Sequence, residues 1–237
     1  MIARLVEEGR YSEPNLPEGI YADLREGMNL YHHLMKDLQA VQGRMHQWID
    51  KYFPEYPKVF SDWEGKTSLQ VLRMGLFPDE ILTCSEEEIL LQIRKEVKRG
   101  VGIKKVRQLQ DAARQSIGIT EGRDLARLKL NTLLAQYTLI RKEIVNVWKK
   151  MKELLNHIPG AKEMMEIHGV AGTTVAGFFA EVGDLSNYEH PDQIIKLAGL
   201  NLKLATSGKW KGKTVITKRG RPKLRALLFK VILPLVG

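Results

Sequence analysis

Apolar residues recur at alternating spacings of four and three along two long stretches of the chain. The first reads Leu24, Met28, Tyr31, Met35, Leu38, Gln42, Met45, Ile49, Tyr52, a heptad seam with one polar interruption at Gln42. It predicts a helix over 21–52. The second reads Ala126, Leu130, Leu133, Tyr137, Ile140, Ile144, Val147, Met151, Leu154 and predicts a helix over 122–157. Each seam needs a partner helix, and a single polar residue in it fixes register at some cost in stability. Two such helices joined by an insert of about seventy residues predict a long antiparallel coiled-coil hairpin. The same seams could pair between protomers, or build a helical bundle whose only role is support.

The insert is punctuated by Pro54, Pro57, Gly65, Gly75 and Pro78, so only short helices fit. Phe53, Tyr56, Phe60, Trp63 and Phe77 are its expected seal. Ser85 with Glu88 forms a capping box that opens a helix running to about Arg99. An amphipathic helix over 103–116 carries Lys104, Lys105, Arg107 and Arg114, either as a solvated face or as a secondary nucleic-acid contact.

From Pro159 glycines become frequent and helices shorten. The run from Met164 through His168, Gly169, Val170, Ala171 and Gly172 to Ala176 has a helix–hairpin–helix form. Exposed N–H groups at the start of its second helix can hold a phosphate without reading a base. Ala171 stands where the second hairpin glycine usually lies. Short helices follow at 175–182 and 191–200, then a basic hairpin or loop over 207–217. Pro222 opens a final apolar helix over 223–235. The expected fold is therefore mainly α. A coiled-coil hairpin with a helical insert (21–157) precedes a compact helical C-terminal domain (158–237). Residues 1–20, broken by Gly9, Pro14 and Pro17, form a short leading segment.

Charge sharpens this picture at one end. Residues 193–237 hold eleven Lys/Arg and no Asp or Glu, while the rest carries 26 basic against 28 acidic residues. A net charge of +9 thus belongs to one patch and predicts a polyanion partner. No apolar run is long enough to cross a membrane, and no signal sequence opens the chain, which predicts a cytoplasmic protein. The lone Cys84 gives neither a disulfide framework nor a zinc pattern, and the six histidines show no ligand spacing, so no metal site is expected in this chain. Within the patch, Ser207 lies among Gly208, Lys209, Lys211, Gly212 and Lys213, followed by Lys218, Arg219, Arg221, Lys223 and Arg225. The lysines can draw in a phosphate and offset its charge. A serine hydroxyl is a poor nucleophile until activated, and by itself Ser207 is equally a phosphate-contacting loop residue.

The motifs Ile167-His168-Gly169, Ala180-Glu181-Val182-Gly183-Asp184, Leu197-Ala198-Gly199-Leu200, Ser207-Gly208, Ile216-Thr217-Lys218-Arg219-Gly220 and Leu224-Arg225-Ala226-Leu227 come in one order over some sixty residues. Together they closely resemble the C-terminal domain of DEDD transposases. These are bacterial insertion-sequence recombinases of the one-hundred-and-ten family, related to the Piv invertases. The two heptad helices look like that family's coiled-coil domain, and Ile2-Ala3-Arg4-Leu5 looks like the end of its RuvC-like nuclease domain.

The resemblance implies a DNA transposase or recombinase acting through Ser207 as covalent nucleophile. Its DNA contacts would come from Gly169, Gly172, Lys209, Lys211, Lys213, Lys218, Arg219, Arg221, Lys223 and Arg225. It also implies Mg2+ held by four acidic residues of the RuvC-like domain, a structured guide RNA that selects DNA, and a dimer or tetramer through the coiled coil. Asp23, Asp37 and Asp50 lie on or beside a heptad helix and do not make the RuvC-like strand pattern. The expectation is thus a protein truncated at the N-terminus, and at the C-terminus too, that binds no metal and cuts no DNA alone. The competing expectation is a non-catalytic dimeric module that binds DNA or RNA.

Overall fold

The computed structural model describes Glu7 and residues 16–97, 101–203, 206–207, 210–211 and 213–236, with the backbone alone at 206–207, 210–211 and 233–236. The described residues are mainly helical, as the periodicity predicts. In chain order the elements are α1 (Gly19–Tyr52), α2 (Tyr56–Val59), α3 (Lys66–Arg73), α4 (Pro78–Thr83), α5 (Glu86–Arg94), α6 (Ile103–Arg114), α7 (Arg123–Leu155), α8 (Ala161–Glu166), α9 (Gly172–Val182) and α10 (Pro191–Ala198). Four two-residue strands follow, β1 (Leu202–Lys203), β2 (Thr206–Ser207), β3 (Trp210–Lys211) and β4 (Val215–Ile216), and then α11 (Pro222–Val236). The chain divides into two compact units. One is Leu34–Glu143, and the other comprises Met1–His33 with Ile144–Gly237.

In the first unit α1 and α7 run antiparallel. Trp48 Nε1 donates to Ala126 O at 2.9 Å, while Glu64 touches both Gln42 and Tyr137, so rising numbers on α1 meet falling numbers on α7. Leu38, Met45, Ile49, Tyr52, Ala126, Leu130, Leu133 and Tyr137 are buried, as the seam predicts. Val41, Trp48 and Leu134 are buried too, which widens the narrow seam into a broad apolar face. The insert supplies the cover. Phe53, Tyr56, Phe60, Trp63 and Phe77 are all buried, and the Trp48, Tyr52 and Phe77 rings cluster with centroids 5.2–5.9 Å apart. Aromatic groups at such spacings pack edge-on or tilted, which suits their quadrupoles.

Ser85 and Glu88 close the predicted capping box at the start of α5. Helix α6 buries Val106, Leu109 and Ala113 against the short helices α2, α4 and α5. Three of its four basic side chains bond within the fold. Arg107 pairs with Glu86 at 2.9 Å, Arg114 with Asp111 at 2.8 Å, and Lys105 donates to Val59 O.

In the second unit the first turns of α1 and the last turns of α7 support α8 to α11. Leu24, Met28, Val147 and Met151 are buried in the predicted register. At the end of α7 the register slips: Leu155 is 1% exposed, and Leu154 is only half-buried. A straight α-helix drifts about 20° per heptad from a strict seven-residue repeat, which accounts for the sense of the slip. Helix α9 reads Gly-Thr-Thr-Val-Ala-Gly-Phe-Phe-Ala-Glu-Val, and its small residues allow close packing. A Cβ on Gly177 would run into Leu227 of α11 and reach 3.5 Å from Met28 of α1. Val182, Ala198 and Leu224 form the centre that joins α9, α10 and α11.

Candidate nucleic-acid interface

Helices α8 and α9 are joined by a tight turn. Val170 N donates to Ile167 O at 3.0 Å, and Gly169 takes a φ of 82°, a left-handed conformation that glycine adopts without strain. Ile167, His168 and Gly169 are exposed. Ala171 precedes α9 and offers no side-chain cap, while the N–H groups of Thr174 and Val175 already bond to its carbonyl. Gly172 has an internal reason to lack a side chain: a Cβ there would lie 2.8 Å from Trp148 Cη2 on α7.

The C-terminal end of α10 is closed in two stages. Gly199 is left-handed at φ 69°, and Leu200 N bonds back to Ile195 O at 3.1 Å, the glycine-terminated helix end. The remaining carbonyls are taken by residues that follow the strands. Arg221 N donates to Leu197 O at 2.7 Å, Arg225 Nη1 to Ala198 O at 2.9 Å, and Lys218 N to Gly199 O at 3.0 Å. Thr217 N adds a 2.8 Å bond to Asn201 O. These bonds need two backbones in contact. A Cβ on Gly199 would lie 2.9 Å from the Arg219 carbonyl, and one on Gly220 would lie 2.5 Å from Gly199 N. Lys218 is the one described non-glycine residue with positive φ, at 55°. Such a conformation costs roughly 1–3 kcal/mol and persists where the surroundings enforce it.

This closed end is the base of the strands. β1 pairs antiparallel with β4, Leu202 opposite Ile216 and Lys203 opposite Val215. β2 pairs antiparallel with β3, Thr206 opposite Lys211 and Ser207 opposite Trp210. Two residues separate β1 from β2 and three separate β3 from β4, so the return leg is one residue longer and the two ladders differ in register. Ser207 therefore stands in the outer ladder, with Gly208 and Lys209 connecting it to Trp210.

The predicted cations fall into distinct groups. Lys213, Lys218 and Arg219 are exposed. Lys223 is exposed and donates to Asn29 Oδ1 of α1 at 2.8 Å. Arg221 and Arg225 are half-buried and turn onto carbonyls of the fold, Arg221 onto Glu181 O and Arg225 onto Ala198 O. Lys211 is placed by its backbone, as is Ser207, and Lys209 lies outside the described residues. Ile2-Ala3-Arg4-Leu5 lies outside them too. Trp148 and Asn29, which shape or brace this face, carry no sign of that role in the sequence. Their partners are distant in the chain, and only the glycines beside them carry a local signal.

A cleft of about 600 Å³ opens elsewhere in this unit, between the start of α1 and the end of α9. It is lined by Tyr21, Gly183, Asp184 and Glu18. Burial first, and then Asp184, push the Tyr21 hydroxyl above its usual range. Two carboxylates make this cleft a poor seat for a phosphate backbone. Among the described residues no group of three or more His, Cys, Asp or Glu gathers to hold a metal ion, and no helix is long and apolar enough to cross a membrane. No donor set among the described residues fits the magnesium that the resemblance implies.

A comparison with curated proteins finds no match to the chain. A family model does match the segment from α8 to α11, which holds the hairpin turn, the strands and the closed end of α10. Residues 161–236 match the Transposase IS116/IS110/IS902 family, so over that segment the chain is similar to insertion-sequence transposases.

Proposed function

We propose that this chain is part of an insertion-sequence DNA transposase, and that the strands with the turn 217–221 form its DNA-handling face. The observation that carries the reading is the family match over 161–236, the segment that presents Lys213, Lys218 and Arg219 to solvent. These cations, with Lys209, Lys211 and Lys223, would engage phosphates and hold a strand beside Ser207. The α8–α9 turn at Gly169 and Gly172 would add a backbone contact.

The reaction is a phosphodiester exchange. Ser207 Oγ forms a bond to phosphorus, one phosphorus–oxygen bond to a deoxyribose breaks, and the serine proton goes to the departing deoxyribose oxygen, which leaves as a hydroxyl. No net energy input is needed, since one ester replaces another. Activation of the serine, a guide RNA and a homodimer or homotetramer through the heptad helices belong to the complete assembly. Mg2+ would be held there by acidic residues other than those described.

The test has two arms. Duplex DNA affinity of the chain should fall steeply with salt, with a log–log slope of about −0.9 for each phosphate neutralised. Ser207→Ala should leave that affinity largely intact and abolish strand transfer by a complemented enzyme. Salt-dependent binding with strand transfer unaffected by Ser207→Ala would instead favour a non-catalytic binding module.

A further inference from the structure

We propose that Arg225 is a positioning residue rather than a phosphate contact: its guanidinium ties the C-terminal end of α10 to the Lys218 turn and so sets the base of the strands that carry Ser207. This rests on the reading above of that face as a DNA surface.

Three observations lead to it. Arg225 Nη1 donates to Ala198 O at 2.9 Å and lies 3.5 Å from Lys218 O, so one nitrogen sits between two carbonyls from separate segments. Ala198 is fully buried, and its carbonyl is at a helix end, where the dipole is negative and a cation is favoured. Withdrawing the guanidinium toward a phosphate would leave that carbonyl without the donor. Lys218, finally, is held at φ 55° with its N–H on Gly199 O and its carbonyl facing Arg225. A lysine keeps such a conformation only when both sides of the turn are pinned. The exposed side chains of Lys218 and Arg219 then face solvent from a turn whose backbone is already fixed. Ordering entropy that binding would otherwise cost is removed in advance.

The role separates cleanly from that of a phosphate ligand. A phosphate contact changes the number of counterions released, whereas a positioning residue changes backbone order before DNA arrives. Amide hydrogen exchange at Lys218 and Arg221, and duplex DNA affinity from low to moderate salt, are measured on the full chain carrying Arg225→Gln, Lys218→Gln or Arg219→Gln. Arg225→Gln should speed exchange at Lys218 and Arg221 by about ten- to a hundredfold, the loss of one charge-assisted hydrogen bond. Its salt slope should stay that of the parent. Lys218→Gln and Arg219→Gln should each reduce the slope by about 0.9 and leave exchange unchanged.

An Arg225→Gln chain with unchanged exchange and a slope reduced by the same step would make Arg225 a phosphate contact and overturn the proposal. Should that variant lose its helical circular dichroism, Arg225→Lys serves in its place. Lysine keeps the charge without the planar fork, so exchange should still quicken while the slope holds. If the parent chain shows no salt-dependent DNA binding, the DNA reading fails. Exchange alone then decides the positioning role, and unchanged protection in both Arg225 variants overturns it.

Discussion

The Tyr137 hydroxyl of α7 donates a 2.7 Å hydrogen bond to Glu64 Oε2, and Gln42 of α1 donates to the other oxygen of the same carboxylate. The single polar residue in the first heptad seam thus meets its counterpart through a glutamate of the insert. Trp63 packs tilted against Tyr137, with ring centroids 5.0 Å apart. Glu64→Ala should cost about 2 kcal/mol, because it leaves the buried Tyr137 hydroxyl and the half-buried Gln42 amide without their acceptor. Tyr137→Phe should cost about 1 kcal/mol. Urea unfolding of both single variants and the double variant checks this. The double should be less destabilised than the sum, since both changes break the same bond; strict additivity would mean the three groups do not act together.

The same tyrosine gives stability an alkaline limit. Burial first, and then Glu64, push Tyr137 up to about 12, against an ordinary value of about 10. Between those values the unfolded chain has released a proton that the folded chain keeps, so stability falls as pH rises through the window. Tyr137→Phe removes that share of the fall. Tyr56 is driven up by burial as well, opposed by its hydrogen bond to Ser68, and contributes in the same direction. The fall should therefore become shallower in the variant without vanishing, as urea midpoints at pH 8, 10 and 11 will read.

An acid limit comes from the carboxylates at the start of α4. Burial acts to raise Glu80, but the Arg127 hydrogen bond, the Phe77 N–H and the Arg127 charge outweigh it and leave the group lowered. The Arg123 hydrogen bond is the main cause that lowers Asp79. The stability these pairs add is present above the unfolded carboxylate values, about 4, and is lost as pH falls through the lower folded ones. Arg127 also donates to Gly75 O at 2.6 Å and lies over the Phe77 ring at 5.2 Å. Arg127→Leu should cost about 2 kcal/mol at neutral pH and flatten the acid side of the stability curve. An unchanged acid limb would exclude the Glu80 pair as its source.

What could be read in the sequence was what depends on near neighbours. The heptad seams, the Ser85 capping box, the proline at the start of α11 and the glycine that ends α10 each rest on residues within a turn or two. What could not be read needs partners far along the chain. Gln42 was visible as an interruption, but its acceptor lies in the insert. Gly172 was read as a phosphate-facing glycine, and the structure adds a Trp148 ring against it. The cations of 218–225 were plain as charge, yet Arg221 and Arg225 face carbonyls of α9 and α10 that only folding brings near. Lys218, with its positive φ, gave no local sign of it, since glycine or asparagine is the usual occupant of such a position.

Two glycines that both exclude a Cβ should differ sharply when one is added. At Gly220 the new atom would meet Leu197 O and lie 2.5 Å from Gly199 N, backbone on both sides with no rotamer to give way. At Gly177 it would meet Leu227 Cδ1, the tip of a side chain that can turn. Alanine also gains about 1 kcal/mol of helix propensity over glycine within α9. Gly220→Ala should therefore cost about 3 kcal/mol, near the upper end for overpacking, whereas Gly177→Ala should fall within about 1 kcal/mol of the parent. Melting temperatures rank the two, and amide exchange at Arg221 should quicken in Gly220→Ala alone. The reverse order would mean that the contact between residue 220 and the end of α10 yields easily, and that the base of the strands is held by something other than this pair of backbones.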